Sequence, residues 1–183
     1  MAVPLMSPQE ERNHVTFTAL MRALSHPGRE QRLPDTGLAA FVAIGDALVD
    51  LETSYYTPHD ALAAALARTG ARFLSPLQAR YQFYPQLHDQ HLDHLRVAPT
   101  GDYVAPEDSA TLVVGCVIGS GPAVELRGPG IRSAIEVRID GLPPAFWSLR
   151  AGTLRYPLGW DVFLVAGDRV IGLPRTTRVE MIE

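Results

Sequence analysis

Four polar residues near the end of the chain combine types that can bind an anion: Asp161, Arg175, Thr176 and Thr177. Pro157-Leu158-Gly159 predicts that Asp161 starts a strand, and Pro174 ends a second strand just before Arg175. If these strands form a hairpin, the start of one lies beside the end of the other, so Asp161 and Arg175 should face each other. The pattern favours a structural Asp–Arg pair, and recognition of a phosphate, a phosphonate or a neighbouring subunit is the alternative.

A second polar group surrounds Gly128-Pro129-Gly130. Proline presets φ and glycine accepts a positive φ, so this tripeptide predicts a tight turn. Arg127 and Arg132 flank the turn, and their guanidinium groups together with backbone N–H groups could also contact a phosphate or a partner. A turn alone is the favoured interpretation, and the contact stays open.

Three histidines, His88, His91 and His94, recur every third residue in a segment that predicts a polar helix. On a helix they would spread over about 120° of the circumference, which suits a shared metal poorly. A solvated helix face is therefore favoured over a metal site, and we expect no metal. A small metal-dependent hydrolase using these histidines remains an alternative function.

The single cysteine and a nearby group of glycines have simple structural interpretations. Cys116 lies in an apolar run without neighbouring charge, so buried packing is favoured over a reactive thiol. Gly115, Gly119 and Gly121 superficially suggest a phosphate loop, but Pro122 leads into another strand where a helix would be needed. We therefore expect a turn between two strands there.

Composition excludes several kinds of chemistry. The chain has no lysine among its 16 basic residues, so it lacks the amine for a Schiff base with pyridoxal phosphate and the lysine of a Walker-type loop. The net charge of −4 argues against nucleic-acid binding. No apolar stretch approaches the roughly 18 residues of a membrane span. One cysteine and a start without a signal-peptide core predict a cytoplasmic protein.

Periodicity and turn residues predict the order of elements. Helices are expected from Pro8 to about Ser25 and over Leu38–Leu48, Pro58–Arg68, Gln86–Leu95 and Pro144–Arg150. Strands are expected over Leu51–Tyr56, Arg80–Tyr84, Thr111–Ile118, Ala123–Arg127, Ala134–Ile139, Val162–Ala166 and Arg169–Leu173. With 183 residues, this order predicts one α/β domain over residues 1–183, with a mixed β-sheet covered by helices.

As an ordered set, four phrases resemble the PhnH family, a subunit of bacterial carbon–phosphorus lyase. They are Ala23–Gly28, Leu126–Ile131, Tyr156–Asp161 and Leu173–Thr177. The resemblance covers nearly the whole chain and is strongest from Ala110 to Val179. The phrases include the candidate residues Arg127, Gly128, Gly130, Asp161, Arg175, Thr176 and Thr177.

The resemblance implies a homodimer with a fold related to pyridoxal-phosphate-dependent transferases, but without that cofactor. The missing lysine agrees with this, and no other cofactor is expected. It also implies assembly with PhnG, PhnI and PhnJ subunits and a role in coupling an alkylphosphonate to ribose triphosphate, the ribose 1-methylphosphonate 5-triphosphate synthase step. The family supplies no secure catalytic residue. The alternatives are a stand-alone phosphate- or phosphonate-binding module and the metal-dependent hydrolase.

Overall fold

A computed structural model describes residues 6–182 of the chain. Helix α1 spans Pro8–Ser25 and begins with a capping box, as the sequence predicts. The Ser7 hydroxyl accepts a hydrogen bond from the Glu10 backbone N–H at 3.2 Å, and the Ser7 N–H donates to the Glu10 carboxylate at 2.7 Å. These bonds satisfy backbone donors that the first helical turn leaves free.

The remaining elements follow in chain order. The helices are α2 (Leu38–Leu48), α3 (Asp60–Leu66), α4 (Leu92–Arg96) and α5 (Ala145–Thr153). The strands are β1 (Gln31–Arg32), β2 (Ser54–Tyr56), β3 (Arg72–Phe73), β4 (Tyr81–Tyr84), β5 (Thr111–Gly115), β6 (Val117–Arg127), β7 (Ile135–Asp140), β8 (Asp161–Ala166), β9 (Arg169–Leu173) and β10 (Arg178–Ile182). In the described part of the chain, no helix is long and apolar enough to cross a membrane.

Seven strands form the main sheet in the order β1-β9-β8-β5-β4-β2-β3. Neighbouring strands from β3 to β8 pair in parallel, whereas β9 runs antiparallel to both β8 and β1. In β5, Leu112, Val113 and Val114 are all buried, because elements cover both faces of the sheet. The predicted α/β class with a mixed sheet is therefore confirmed.

A second sheet contains three antiparallel strands in the order β10-β6-β7. The expected turn between strands at Gly119 and Gly121 is wrong, because β6 continues through both glycines as one strand. Its register with β7 shifts between Ile118 and Ala123, so the two glycines, at φ values of 96° and 79°, form an irregularity within the strand. The predicted strand over residues 111–118 is divided between the two sheets.

Two apolar clusters lie on opposite faces of the main sheet. One includes Leu112, Phe146 and Trp160 and fills the space between the main sheet, the second sheet and α5. The other includes Phe41 and Val113 and lies beneath α1, α2 and α3. Because side chains alternate along β5, one strand supplies residues to both clusters. The main sheet is thus the layer that both clusters share.

Candidate functional site

Asp161 and Arg175 meet in the structure as the hairpin predicts. Strands β8 and β9 pair antiparallel, so the start of one lies next to the end of the other. Nη2 of Arg175 lies 2.7 Å from Oδ2 of Asp161, and Nε lies 3.4 Å from Oδ1. The Arg175 backbone N–H also donates to Oδ1 at 2.8 Å. The carboxylate thus binds both the backbone and the side chain of the residue that follows the hairpin.

The remaining contacts of Arg175 join this hairpin to two loops. Nη1 donates to the carbonyl of Pro106 at 2.6 Å and to that of Pro157 at 3.3 Å. A guanidinium has five N–H donors, and these bonds together with the two to Asp161 account for four. The geometry therefore favours a structural pair, and phosphate contact by Arg175 stays a prediction.

The turn after β9 packs against the first glycine of the 128–130 turn. The Thr177 backbone N–H donates to the carbonyl of Pro174 at 2.8 Å, and the Thr177 side chain is buried. A Cβ on Gly128 would lie 2.7 Å from the carbonyl oxygen of Thr176. Any larger residue would push the two turns apart, so Gly128, Thr176 and Thr177 belong to one packed junction.

Gly130 links the same turn to the end of α1. The turn is closed by a hydrogen bond from Ile131 N–H to the Gly128 carbonyl at 3.1 Å, which confirms the predicted turn. Gly130 has a φ of 82°, and a Cβ there would lie 2.7 Å from the Ser25 carbonyl oxygen. Phrases that are far apart in the sequence therefore pack against one another in the fold.

The side chain of Arg127 bonds Glu125 and does not join the Asp161–Arg175 pair. It is exposed at the end of β6, where its Nε donates to Glu125 Oε1 at 2.6 Å, and this bond raises the pKa of the guanidinium. Its partner across the strand pair is Arg178, which is also exposed. Two exposed arginines thus stand opposite each other on the second sheet.

A buried arginine, Arg150, forms hydrogen bonds to the same junction. It was not among the residues that the sequence pattern indicated. Arg150, on α5, is 1% exposed and donates to the carbonyls of Thr177 at 3.0 Å, Pro174 at 2.9 Å and Leu173 at 3.3 Å. Burial lowers its pKa to about 10, although the Asp161 charge acts in the opposite direction. Phe146, four residues earlier, lies on the buried side of the same helix, and that spacing is the signal that could have revealed Arg150.

The rings of successive histidines lie close together, and those of His91 and His94 stack. The predicted polar helix begins as a 3₁₀ turn over Asp89–His91 and becomes α-helical only in α4. A 3₁₀ turn has three residues per turn, which brings residues three apart into line. The ring centroids of His88 and His91 are 5.5 Å apart, and those of His91 and His94 are 5.7 Å apart.

The expectation of a solvated histidine face is wrong for His91, which is buried. Its Nδ1 accepts the backbone N–H of His88 at 3.1 Å, so the ring is held in place. Burial, and then the neighbouring His94 and His88, lower the pKa of His91. Within residues 6–182, no three His, Cys, Asp or Glu side chains are grouped so that they could hold a metal ion.

A cleft of about 350 Å³ lies at the carboxyl ends of β4, β5 and β8, where open α/β sheets commonly bind ligands. The polar groups in it come from His59, Gln86 and Cys116. Cys116 lies between β5 and β6 and is only partly buried, so the expectation of a fully buried cysteine is wrong, and burial raises the pKa of its thiol to about 12. In the described range, the cleft lining includes no arginine, so the arginines of the phrases remain the better candidates for anion contact.

Comparison with known proteins identifies the family. Residues 6–180 match the family described as bacterial phosphonate metabolism protein (PhnH). This chain belongs to the PhnH family. The matched residues include all four phrases.

Two relatives have names that point to the same process. A proposed C-P lyase subunit protein, HtxG of Stutzerimonas stutzeri, is 33% identical over 176 residues, which cover 94% of this chain and 88% of HtxG. The alpha-D-ribose 1-methylphosphonate 5-triphosphate synthase subunit PhnH of Rhizobium meliloti (strain 1021) is 40% identical over 77 residues, 41% of this chain and 38% of that protein. The resemblance seen in the phrases is confirmed.

Proposed function

We propose that this chain is a subunit of a carbon–phosphorus lyase system and serves the step that couples an alkylphosphonate to ribose triphosphate. The observation that carries the proposal is the family match over residues 6–180, together with the similarity to HtxG across almost the whole chain. The name of the second relative includes the coupling product, ribose 1-methylphosphonate 5-triphosphate. The chain acts there with PhnG, PhnI and PhnJ subunits, as a cytoplasmic homodimer.

The site geometry supports a subunit more than an independent enzyme. Asp161, Arg175, Thr176 and Thr177 bind or pack against other parts of the same chain. Their donors and acceptors hold loops in place, as expected for residues that shape a surface. The two alternatives, a stand-alone phosphonate-binding module and a metal-dependent hydrolase, would each need a converging set of free polar groups.

The relation to pyridoxal-phosphate-dependent transferases is part of the proposal. A mostly parallel main sheet, with β9 as its reversed strand and helices on both faces, supports it. A single domain over residues 1–183 is also part of the proposal, and two apolar clusters that share one sheet support it. Residues 1–5 and 183 of that range lie outside the described residues. Without a lysine, added pyridoxal phosphate should form no imine with a side chain, which absorbance spectra would check.

Phosphate or partner contact is best assigned to Arg127, which is exposed opposite Arg178. Gly128, Gly130, Asp161, Arg175, Thr176 and Thr177 then frame the turns beside it. Arg127→Gln should weaken retention of a phosphorylated substrate by the assembled complex. Arg138→Gln is the matched control, because Arg138 is an exposed arginine on β7 beside Glu136.

Growth on a phosphonate tests the proposed function. Deleting the gene should abolish growth of the host on methylphosphonate as the sole phosphorus source and leave growth on phosphate unchanged. A plasmid copy should restore growth. Undiminished growth of the deletion strain on methylphosphonate would refute the proposal.

A further inference from the structure

A cavity of about 270 Å³, called here the α5 cavity, lies between α5 and β10, beside the junction that Arg150 bonds. Its walls come from α5, from Leu154 at the end of that helix, and from β10, which is an edge strand of the second sheet. Ligand pockets commonly measure ~300–1,000 Å³ and combine apolar walls with a few polar groups. The α5 cavity therefore suits a compact ligand.

Part of the wall is apolar and belongs to the packed core. Trp147, Ala151, Leu154 and Val179 supply it. Trp147 is almost fully buried, and its ring packs edge-on against Phe146 with the centroids 5.1 Å apart. Because this wall is held by close packing, it offers a fixed surface to an apolar group of the ligand.

Arg150 brings a buried positive charge to the α5 cavity. Its Nη1 and Nη2 donate to three backbone carbonyls, and within residues 6–182 it forms no salt bridge. The charge of Asp161 acts on it only from a greater distance. Since a buried charge is costly unless it is paired, an anion in the cavity would supply the missing partner.

Two buried polar atoms of the same junction have no hydrogen-bond partner in the described part of the chain. They are Nε of Arg150 and Oγ1 of Thr177, in side chains of residues that are 1% and 0% exposed. Buried polar atoms are nearly always bonded, so such atoms indicate a group that the chain itself does not supply. The guanidinium N–H and the hydroxyl can both donate to an anionic oxygen.

The β10 side of the α5 cavity adds further charge. Arg178 lines the cavity, is exposed, and stands opposite Arg127 of β6. Glu180 also lines the cavity and stands opposite Glu125. Arg127 bonds Glu125 at 2.6 Å, and the charge of Glu180 contributes to the raised pKa of Arg127. With Arg150, three arginines and two glutamates leave one excess positive charge, which favours an anionic ligand.

We propose that the α5 cavity binds an alkylphosphonate, with its oxygens toward Arg150 and Arg178 and its alkyl group against the apolar wall. Guanidinium groups bind such oxygens through charge-assisted hydrogen bonds. Inorganic phosphate would leave the apolar wall without a partner. This inference rests on the proposed function, because an alkylphosphonate is the substrate of that step, and it places the substrate away from the cleft at the carboxyl ends of β4, β5 and β8.

Isothermal titration calorimetry on the full chain, in a phosphate-free buffer, tests the α5 cavity. The probes are propylphosphonate, methylphosphonate and inorganic phosphate. Each methylene that leaves water for the apolar wall should lower the Kd about fourfold, so propylphosphonate should bind about tenfold more tightly than methylphosphonate. Inorganic phosphate, which has no alkyl group, should bind most weakly.

Matched variants locate the binding site. Ala151→Phe fills the α5 cavity from an exposed position and should raise the Kd for propylphosphonate at least about tenfold. Ala145→Phe is its control, because Ala145 is exposed at the start of the same helix and, among the described residues, lies outside the cavity lining. Arg178→Gln should also raise the Kd about tenfold, whereas Arg138→Gln, at an exposed arginine of β7, should leave it nearly unchanged.

The outcomes separate the α5 cavity from the proposed function. Wild-type affinity in Ala151→Phe, with an unchanged circular dichroism spectrum, would overturn the cavity and leave the proposed function to its own growth test. Equal Kd values for inorganic phosphate and propylphosphonate would show an anion contact without apolar recognition and would also overturn it. Undiminished growth of the deletion strain on methylphosphonate would refute the proposed function, and the cavity would then stand or fall on the calorimetry alone.

Discussion

Replacing Arg175 by methionine should lower the free energy of unfolding by about 3 kcal/mol. The variant loses the 2.7 Å bond to Asp161 and the bonds to the carbonyls of Pro106 and Pro157, while methionine retains much of the side-chain volume. The side chains of Arg175 and Asp161 are 17% and 21% exposed, so water only partly replaces the lost partner. Breaking a buried pair costs ~3–5 kcal/mol and a surface pair contributes ~0–1, so this partly buried pair, with its two carbonyl bonds, is placed at the lower end of the buried range.

Arg80→Met is the matched control, because Arg80 anchors the same loop through Asp108. The side chains of that pair are 50% and 51% exposed, so its loss should cost at most about 1 kcal/mol. Urea denaturation followed by circular dichroism measures both variants, and hydrogen exchange should show faster exchange of the Val104 and Ala105 amides in Arg175→Met. Equal losses of stability in the two variants would show that the partly buried Arg175 pair does not hold the loop.

Three further substitutions test the junction and the histidine stack. Arg150→Met should lower the free energy of unfolding, measured by urea denaturation, by ~2–4 kcal/mol, because buried carbonyls after β9 lose a charged donor. A decrease below about 1 kcal/mol would show that Arg150 does not stabilise this junction. Gly172→Ala should lower the melting temperature sharply, since its Cβ would lie 2.5 Å from the Ala23 carbonyl carbon. Gly152→Ala is the control, because a Cβ at this position in α5 meets open space and should preserve or raise the melting temperature. The pKa of His91 lies below its usual 6.5, so as the pH falls below that value the unfolded chain takes up the proton first and the folded protein loses stability. His91→Asn should reduce this loss between pH 7.5 and 5.5 and the exposed His14→Asn should not; equal acid sensitivity in both would contradict the assignment.

Elements with strong local signals could be predicted from the sequence. The capping box at Ser7 determines where α1 begins, and Gly167-Asp168 between two apolar runs predicts the β8–β9 hairpin. That hairpin alone predicts that Asp161 and Arg175 face each other. In each case the residues that decide the structure are neighbours in the chain.

Features that depend on distant contacts could not be predicted in the same way. The apolar run at residues 111–118 is typical of one strand, but pairing with β7 moves its end into a second sheet. Arg175 donates a hydrogen bond to the carbonyl of Pro106, which is 69 residues away in the chain, and the local sequence does not indicate this contact. Arg150 is typical of a cation at a helix end, and only the packing of the segment after β9 buries it.

The most direct test of the subunit role is an omission experiment on the coupling reaction. Purified PhnG, PhnI and PhnJ proteins from the same genome are mixed with ATP and methylphosphonate, with or without this chain, and products are followed by phosphorus NMR. Ribose 1-methylphosphonate 5-triphosphate should form only when this chain is present, and this chain alone should form none. Equal product formation without it would contradict the proposed role.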